Sequence, residues 1–110
     1  MENSHDFNTL TENANGYIGY CPCCKKYNLA YKNSLFILNE FEFGAFQEML
    51  ENKIGIHDFW TSHGKEYMMR TPLKNYFVLW KESEIDEVLD MMEEIALLVE
   101  AHRVVNINKN

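Results

Sequence analysis

The sequence predicts an α+β fold, a two-layer sandwich in which an antiparallel sheet of about five strands carries two helices on one face. Three observations lead to this class. Short apolar segments occur in pairs separated by turn residues, and a helical pattern with a capping signal follows each pair. The length of 110 residues, with 46% hydrophobic content, is that of one ordinary globular domain.

The chain is predicted to form a single domain over residues 1–110. Residues 1–14 are polar, with few apolar side chains to bury, and are predicted to form a flexible arm. The globular core is predicted over residues 15–105, and residues 106–110 are predicted to fray.

The first strands are predicted on either side of a turn that contains every cysteine of the protein. Residues 17–20 are rich in aromatic and branched side chains, and residues 27–31 alternate as a strand does. Pro22 belongs in the turn because proline cannot donate a hydrogen bond to a strand ladder. The polar segment 32–34 and the apolar run 35–38 then predict a further turn and strand.

The first helix is predicted to begin after Asn39 and to end near residue 52. Glu42 lies where a glutamate completes a capping box with Asn39. One face of this helix is apolar and consists of Phe43, Phe46, Met49 and Leu50.

The second half of the chain repeats the order of hairpin and helix. Residues 53–64 show no sustained period, and a connection of this length is either functional or a covering loop. Residues 66–71 and 76–80 predict a second hairpin. Because a hairpin and a capped helix occur twice, the order suggests duplication of a strand-strand-helix unit.

The last helix is predicted to be the longest element. Ser83, followed three residues later by Asp86, supplies its capping signal, and one face stays apolar over residues 85–102. Its carboxylates are interpreted as solvated surface charges. They are Glu82, Glu84, Asp86, Glu87, Asp90, Glu93, Glu94 and Glu100.

The charge and hydropathy of the chain exclude some partners. A formal net charge of -7 would repel a polyphosphate backbone, and no basic stripe offsets it, so nucleic acid is not expected as a partner. No apolar run approaches the ~20 residues that span a bilayer, and the amino terminus lacks a signal-peptide pattern. The sequence therefore predicts a cytoplasmic protein with no membrane partner.

Cys21 and Cys24 have the spacing at which both sulfurs of one turn can bind a tetrahedral zinc ion. Such a site needs two more ligands, and the candidates are His57 and His63 in the irregular stretch. The competing interpretation is that the cysteines are small buried side chains of a turn and that both histidines lie on the surface. On the first of these interpretations, zinc is the candidate cofactor.

The Cys-Pro-Cys-Cys segment also resembles the active turn of thioredoxin-like oxidoreductases, and Pro72 imitates the proline that faces such a pair. In that fold the pair opens a helix, whose dipole lowers the pKa of the first thiol. Here residues 27–31 alternate as a strand almost at once. A thiol-disulfide oxidoreductase that uses this turn is thus the alternative function.

Three parts of the chain together carry a resemblance to a known family. They are the pattern Gly-Tyr-x-Gly-Tyr-Cys-x-x-Cys that starts at Gly16, the segment 27–31, and residues 63–73 before the acidic last helix. From Gly16 to about Arg103 the chain resembles an uncharacterised family of small proteins of the Bacteroidetes bacteria.

The resemblance implies a compact cytoplasmic bacterial domain. It implies no activity, since the family is a domain of unknown function. It also implies that the pair at Cys21 and Cys24 belongs to the family pattern, with Cys23 as an additional residue.

The residues as a whole predict a non-catalytic domain that binds a protein partner or associates with itself. No glycine-rich phosphate loop occurs in the sequence. The apolar stripe of the last helix widens near its carboxyl end, which is typical of a surface that meets another chain. The predicted interface consists of Leu97, Leu98, Val104 and Val105.

Overall fold

Over residues 7–108 the chain forms strands and helices in the order sheet, helix, sheet, helix. The computed structural model describes the backbone of these residues and the side chains of residues 7–98. The predicted α+β class is confirmed, but the single sheet of about five strands is wrong, because the strands form two separate antiparallel sheets. The elements are β1 (Asn8–Glu12), β2 (Gly16–Cys21), β3 (Lys26–Tyr31), β4 (Ser34–Asn39), α1 (Glu40–Asn52), β5 (Ile56–Asp58), β6 (Tyr67–Arg70), β7 (Phe77–Trp80) and α2 (Glu82–Asn108).

The chain divides into two compact units. Unit 1 comprises Met1–Phe43 with Asp90–Asn110, and unit 2 comprises Gly44–Leu89, so the boundary falls inside both helices. The predictions of a single domain and of an internal duplication stay predictions.

Unit 1 contains a four-stranded antiparallel meander in the order β1-β2-β3-β4. Residues that lie opposite each other in such a sheet share a face. Ile18, Leu29 and Phe36 form one row on the inner face, where Ile18 and Leu29 are fully buried. The buried apolar residues of unit 1 are Ile18, Cys21, Tyr27, Leu29, Tyr31, Phe43, Met91, Met92 and Ile95.

Strand β1 lies in the stretch that the sequence predicts as a flexible arm. It is polar and lacks apolar alternation, so its strand conformation comes from pairing with β2, across a β-bulge between Thr9 and Thr11. The Thr11 hydroxyl donates to Oε1 of Glu94 at 2.5 Å. The arm prediction therefore does not hold for Asn8–Glu12, and residues 1–6 lie outside the described part of the chain.

The predicted capping box of α1 is confirmed. The Asn39 N–H donates to Oε1 of Glu42 at 2.8 Å, and the Glu42 N–H donates to Oδ1 of Asn39 at 2.7 Å. In unit 1 the Phe43 ring packs on the Tyr27 ring, with centroids 4.2 Å apart. The helix ends at Asn52, as predicted, and Lys53 then adopts a φ of 53°.

Unit 2 contains a three-stranded antiparallel sheet in the order β5-β6-β7. Strand β5 has only three residues, too few for an alternation to be visible in the sequence. Helix α2 runs to Asn108, past its predicted end near His102 and into the predicted frayed tail, whose residues 109 and 110 lie outside the described part. The buried apolar residues of unit 2 are Phe46, Leu50, Ile56, Met69, Trp80, Ile85 and Val88.

Substitution of two glycines by alanine should change stability in opposite directions. A Cβ at Gly16 would lie 2.1 Å from the carbonyl oxygen of Ala30, a backbone atom that cannot move without disturbing the β2–β3 ladder. We expect Gly16→Ala to lower the free energy of unfolding by about 1–3 kcal/mol. Gly44 lies in α1, where a Cβ would meet no heavy atom within 4 Å. We expect Gly44→Ala to raise it by about 0.5–1 kcal/mol.

Urea denaturation followed by far-ultraviolet circular dichroism measures both changes. Gly44→Ala is the matched control, since it adds the same methyl group where space is open. Wild-type stability in Gly16→Ala would contradict the close approach of β2 and β3.

Candidate functional site

In unit 2 the β5–β6 connection is an ordered loop. Asp58 pairs with Tyr67 at the end of the ladder, and one step further the Phe59 N–H donates to the carbonyl oxygen of Glu66 at 2.6 Å. The hairpin is therefore closed at its base, and residues 60–65 form the loop.

Thr61 holds this loop in shape. Its Oγ1 accepts the N–H of His63 at 3.2 Å and the N–H of Lys65 at 3.1 Å. Gly64 adopts a φ of 82°, in the left-handed region that glycine tolerates best, and its N–H donates to the Thr61 carbonyl oxygen at 3.3 Å. Trp60 is thus presented on a hydrogen-bonded loop.

An ion pair anchors the loop to the start of α2. The Lys65 Nζ lies 2.7 Å and 2.9 Å from the two carboxylate oxygens of Glu84, which is buried. Oε1 of Glu84 also accepts the Lys81 N–H at 2.8 Å and so caps the helix. The interpretation of Glu84 as a solvated charge is wrong, and the capping role predicted for Ser83 is wrong because α2 already begins at Glu82.

A cleft of about 590 Å³ opens beside the base of this loop. Trp60 lies on it with 83% of its surface exposed, and the Phe59 ring is also exposed. Exposed aromatic side chains on an ordered backbone are typical of binding surfaces. The cleft is lined by Asp58, Phe59, Trp60, Glu66 and Tyr67.

Charged neighbours hold the side chain of Tyr67, the first residue of β6, in place. Its hydroxyl donates to Oε1 of Glu82 at 2.8 Å. That hydrogen bond, followed by burial and by the charges of Glu82, Glu66 and Asp58, raises the pKa of Tyr67 to about 12. The Lys53 Nζ lies 5.1 Å from the Tyr67 ring centroid, so this ring already attracts a cation.

The chemistry of the cleft favours a cationic group. The faces of tryptophan and tyrosine rings attract ammonium and guanidinium groups through the ring quadrupole. Carboxylates such as Asp58 and Glu66 accept charge-assisted hydrogen bonds from the same groups. A lysine or arginine side chain matches both halves of this lining.

In unit 1 the cysteine turn brings two of its three thiols together. Cys21 is buried, Cys24 is half-buried and Cys23 is exposed, and all three are free thiols. The Cys24 N–H donates to Sγ of Cys21 at 3.4 Å. The hydrogen bond between the two thiols, followed by burial and the charge of Cys21, raises the pKa of Cys24 above its ordinary value.

The cysteine pair is predicted to supply two of the four ligands of a tetrahedral zinc ion. His57 lies on β5 and His63 in the loop that follows, and both are exposed. Among the described residues, no group of three or more His, Cys, Asp or Glu side chains is placed to hold a metal ion. The zinc site predicted at Cys21, Cys24, His57 and His63 stays a prediction from spacing.

The turn joins two strands, β2 and β3, and does not open a helix. The raised pKa is that of Cys24, whereas in a redox-active turn the lowered pKa belongs to the first thiol of the pair, here Cys21. The turn lacks the helix that opens at a thioredoxin-like pair, and the oxidoreductase alternative stays a prediction from the motif.

The predicted partner surface lies on α2. Leu97 is 70% exposed and Leu98 is 47% exposed. The side chains of Val104 and Val105 lie outside the described residues. Within the part of the chain that the structure describes, no helix is long and apolar enough to cross a membrane.

The sequence analysis missed the aromatic lining of the cleft. Phe59 and Trp60 stand together in a stretch without helical or strand period, and that combination was the one available signal, since two adjacent aromatic residues in a polar loop are hard to bury together. The β5–β6 pairing leaves both rings exposed and places the carboxylates of Asp58 and Glu66 beside them. No local sequence pattern indicates that pairing.

A comparison with known families matches the chain over residues 1–108 to a family of unknown function, DUF6686. No curated protein and no solved structure matches the chain. The expectation of a family without assigned function is confirmed, and the match extends beyond the part of the chain on which the resemblance rests. The Bacteroidetes origin and the place of the cysteine pair in the family pattern stay predictions.

Loss of the Glu84 charge should destabilise the protein. Glu84→Gln keeps an acceptor for the Lys81 N–H but leaves the Lys65 ammonium without its carboxylate. We expect the free energy of unfolding to fall by about 1–3 kcal/mol, the range for a hydrogen bond to a charged group. Urea denaturation measures the change. The control is Glu93→Gln, an exposed carboxylate of the same helix, which should stay within about 0.5 kcal/mol of wild type.

Alkylation of Cys24 should report its raised pKa. In Cys23→Ser, Cys24 is the more accessible of the two remaining thiols, and its rate with iodoacetamide should rise with pH to a midpoint above the ordinary value of 9.0. Cys21→Ala in the same background removes the neighbouring thiol, so the midpoint should fall. A midpoint that Cys21→Ala leaves unchanged or raises would contradict the hydrogen bond between the two thiols as the cause.

Proposed function

The chain belongs to the DUF6686 family of unknown function, and we propose that it is a non-catalytic binding domain whose cleft holds a basic side chain of a protein partner. The observation that carries this proposal is the exposed Trp60 beside two carboxylates on an ordered loop. The cleft lining includes no thiol, imidazole or serine hydroxyl that could act as a nucleophile.

Electrostatics favours a basic partner over an acidic one. Asp58 and Glu66 supply two negative charges at the cleft itself, and the whole chain carries a formal net charge of -7. A field of this sign attracts a positively charged surface from a distance and repels acidic peptides and nucleic acids.

The rigidity of the loop lowers the entropic cost of binding. The hydrogen bonds to Thr61 and the ion pair between Lys65 and Glu84 hold the backbone after Trp60. The hydrogen bond from the Phe59 N–H to the Glu66 carbonyl oxygen holds the backbone before Trp60. An aromatic side chain on a fixed backbone loses little conformational freedom when a ligand arrives. An exposed tryptophan in such a place is typical of a binding hot spot.

The α2 surface is a second candidate for contact with a protein. Leu97 and Leu98 are adjacent and both exposed, as expected of an apolar patch that another chain covers. Val104 and Val105, the other two residues of this predicted interface, follow about two turns further along the helix.

Binding of a basic side chain at the cleft is tested by nuclear magnetic resonance. We expect a short Gly-Arg peptide to shift the indole N–H resonance of Trp60, with a dissociation constant on the order of 1 mM for a single side chain. A Gly-Glu peptide of the same length should leave that resonance unchanged. The buried indole of Trp80 supplies an internal reference in the same spectrum.

Variants connect this signal to the cleft. Binding, followed by the backbone resonances of Asp58 and Glu66, should be lost in Trp60→Ala and partly kept in Trp60→Phe. Tyr76→Ala, which removes an exposed aromatic side chain outside the cleft, should bind as wild type does. Unchanged affinity in Trp60→Ala, or equal affinity for both peptides, would contradict the proposal.

A further inference from the structure

The four-stranded sheet of unit 1 has two edges of different character. Strand β1 is polar, ends in a charge at Glu12 and carries a β-bulge, and these features discourage pairing with another chain. Strand β4 has six residues, Ser34–Asn39, with no charge, no proline and an unbroken register along β3. Its other side pairs with no described strand.

The outer face of β4 is apolar as well. Leu35 is 56% exposed and Ile37 is 54% exposed, while Phe36 and Leu38 alternate with them on the inner face. A long apolar edge with free backbone N–H and C=O groups is a template for a further strand.

We propose that the added strand is β4 of a second copy of this chain, paired antiparallel about a twofold axis at Phe36. The two four-stranded sheets would then form one continuous sheet. The segment Lys-Asn-Ser-Leu-Phe-Ile-Leu-Asn-Glu, residues 32–40, supplies matching partners to its own reverse at the outer apolar face and at both charged ends.

The register about Phe36 pairs the apolar side chains of the outer face and the opposite charges at the ends of the segment, while on the inner face Ser34 lies opposite Leu38 of the second copy. Leu35 lies opposite Ile37 of the second copy, and Asn33 lies opposite Asn39 of the second copy. Lys32, in the turn before β4, faces Glu40 of the second copy at the start of α1. By symmetry each of these pairs occurs twice.

Other registers lose this match. An axis at Leu35 would place Lys32 opposite Leu38 and Asn33 opposite Ile37 of the second copy. A shift of register by one residue would turn the exposed side chains of one strand toward the inner face of the other. The Phe36 register alone pairs both charges and both outer-face apolar residues.

An interface of one strand pair is small, so the dimer should be weak and concentration-dependent, with a dissociation constant on the order of 10 μM. The edge lies in unit 1 and the cleft lies in unit 2, so this proposal and the binding proposal can fail separately.

Sedimentation velocity of the full chain over a concentration series measures the dimer. Lys32→Glu places two glutamates opposite each other and Glu40→Lys places two lysines opposite each other, so each should raise the dissociation constant about tenfold. The double variant Lys32→Glu/Glu40→Lys restores opposite charges and should return to the wild-type constant. Its recovery also shows that the substituted chain folds.

Two further samples complete the test. An equimolar mixture of the two single variants should form a mixed dimer, because both of its charge pairs are then complementary, and native mass spectrometry resolves it. Lys74→Glu changes the charge by the same amount on a loop of unit 2 and should associate as wild type does. Ile37→Lys should leave a folded monomer, as circular dichroism and sedimentation would show.

A wild-type chain that is monomeric throughout the series would overturn the proposal. So would a dimer that Ile37→Lys and the charge variants leave unchanged, and in that case weakening by Leu98→Glu would place the contact on α2. Failure of the double variant to recover, with its circular dichroism spectrum that of wild type, would overturn the Phe36 register.

Discussion

Both described helices are capped by a glutamate at the third helical position, whose side chain accepts the N–H of the residue just before the helix. Glu42 accepts the Asn39 N–H at the start of α1, and Glu84 accepts the Lys81 N–H at the start of α2. These caps define the residue at which each chain segment changes from strand to helix. Glu84 does more than its counterpart, because the same carboxylate binds Lys65 and thereby holds the loop that carries Trp60. The geometry of the cleft therefore depends on a helix cap.

The two proposed binding surfaces would use different kinds of interaction. The cleft in unit 2 recognises side chains, through aromatic faces and the carboxylates of Asp58 and Glu66. The β4 edge in unit 1, which pairs with no described strand on its outer side, would recognise a backbone between the exposed side chains of Leu35 and Ile37. The net charge of -7 favours basic partners at the first surface. At the β4 edge the net charge does not select the partner. Specificity there would come from Lys32 and Glu40, the opposite charges at the two ends of one short segment.

The predicted position of the cysteine turn between two strands is confirmed, whereas its function stays a prediction. Its spacing predicts a turn between two strands, and the turn is there, with the Cys24 N–H on Sγ of Cys21. Whether such a turn binds metal depends on two further ligands, and for these His57 and His63 stay a prediction from spacing. The hydrogen bond between the thiols raises the pKa of Cys24 and so lowers the thiolate fraction of this one thiol at neutral pH.

The sequence by itself determined the α+β class, the capping box at Asn39 and the hairpins around the cysteine turn and the segment 32–34, because periodicity, caps and turns act over a few neighbouring residues. Only the tertiary structure decided that the strands form two sheets, that the polar segment Asn8–Glu12 becomes a strand, and that Glu84 is buried. The burial of Glu84 depends on Lys65, which lies 19 residues away along the chain, and the strand conformation of Asn8–Glu12 depends on pairing with β2, which its own polar residues do not signal. Local patterns cannot specify such partners, and the exposure of Trp60 on its loop followed from the same long-range contacts.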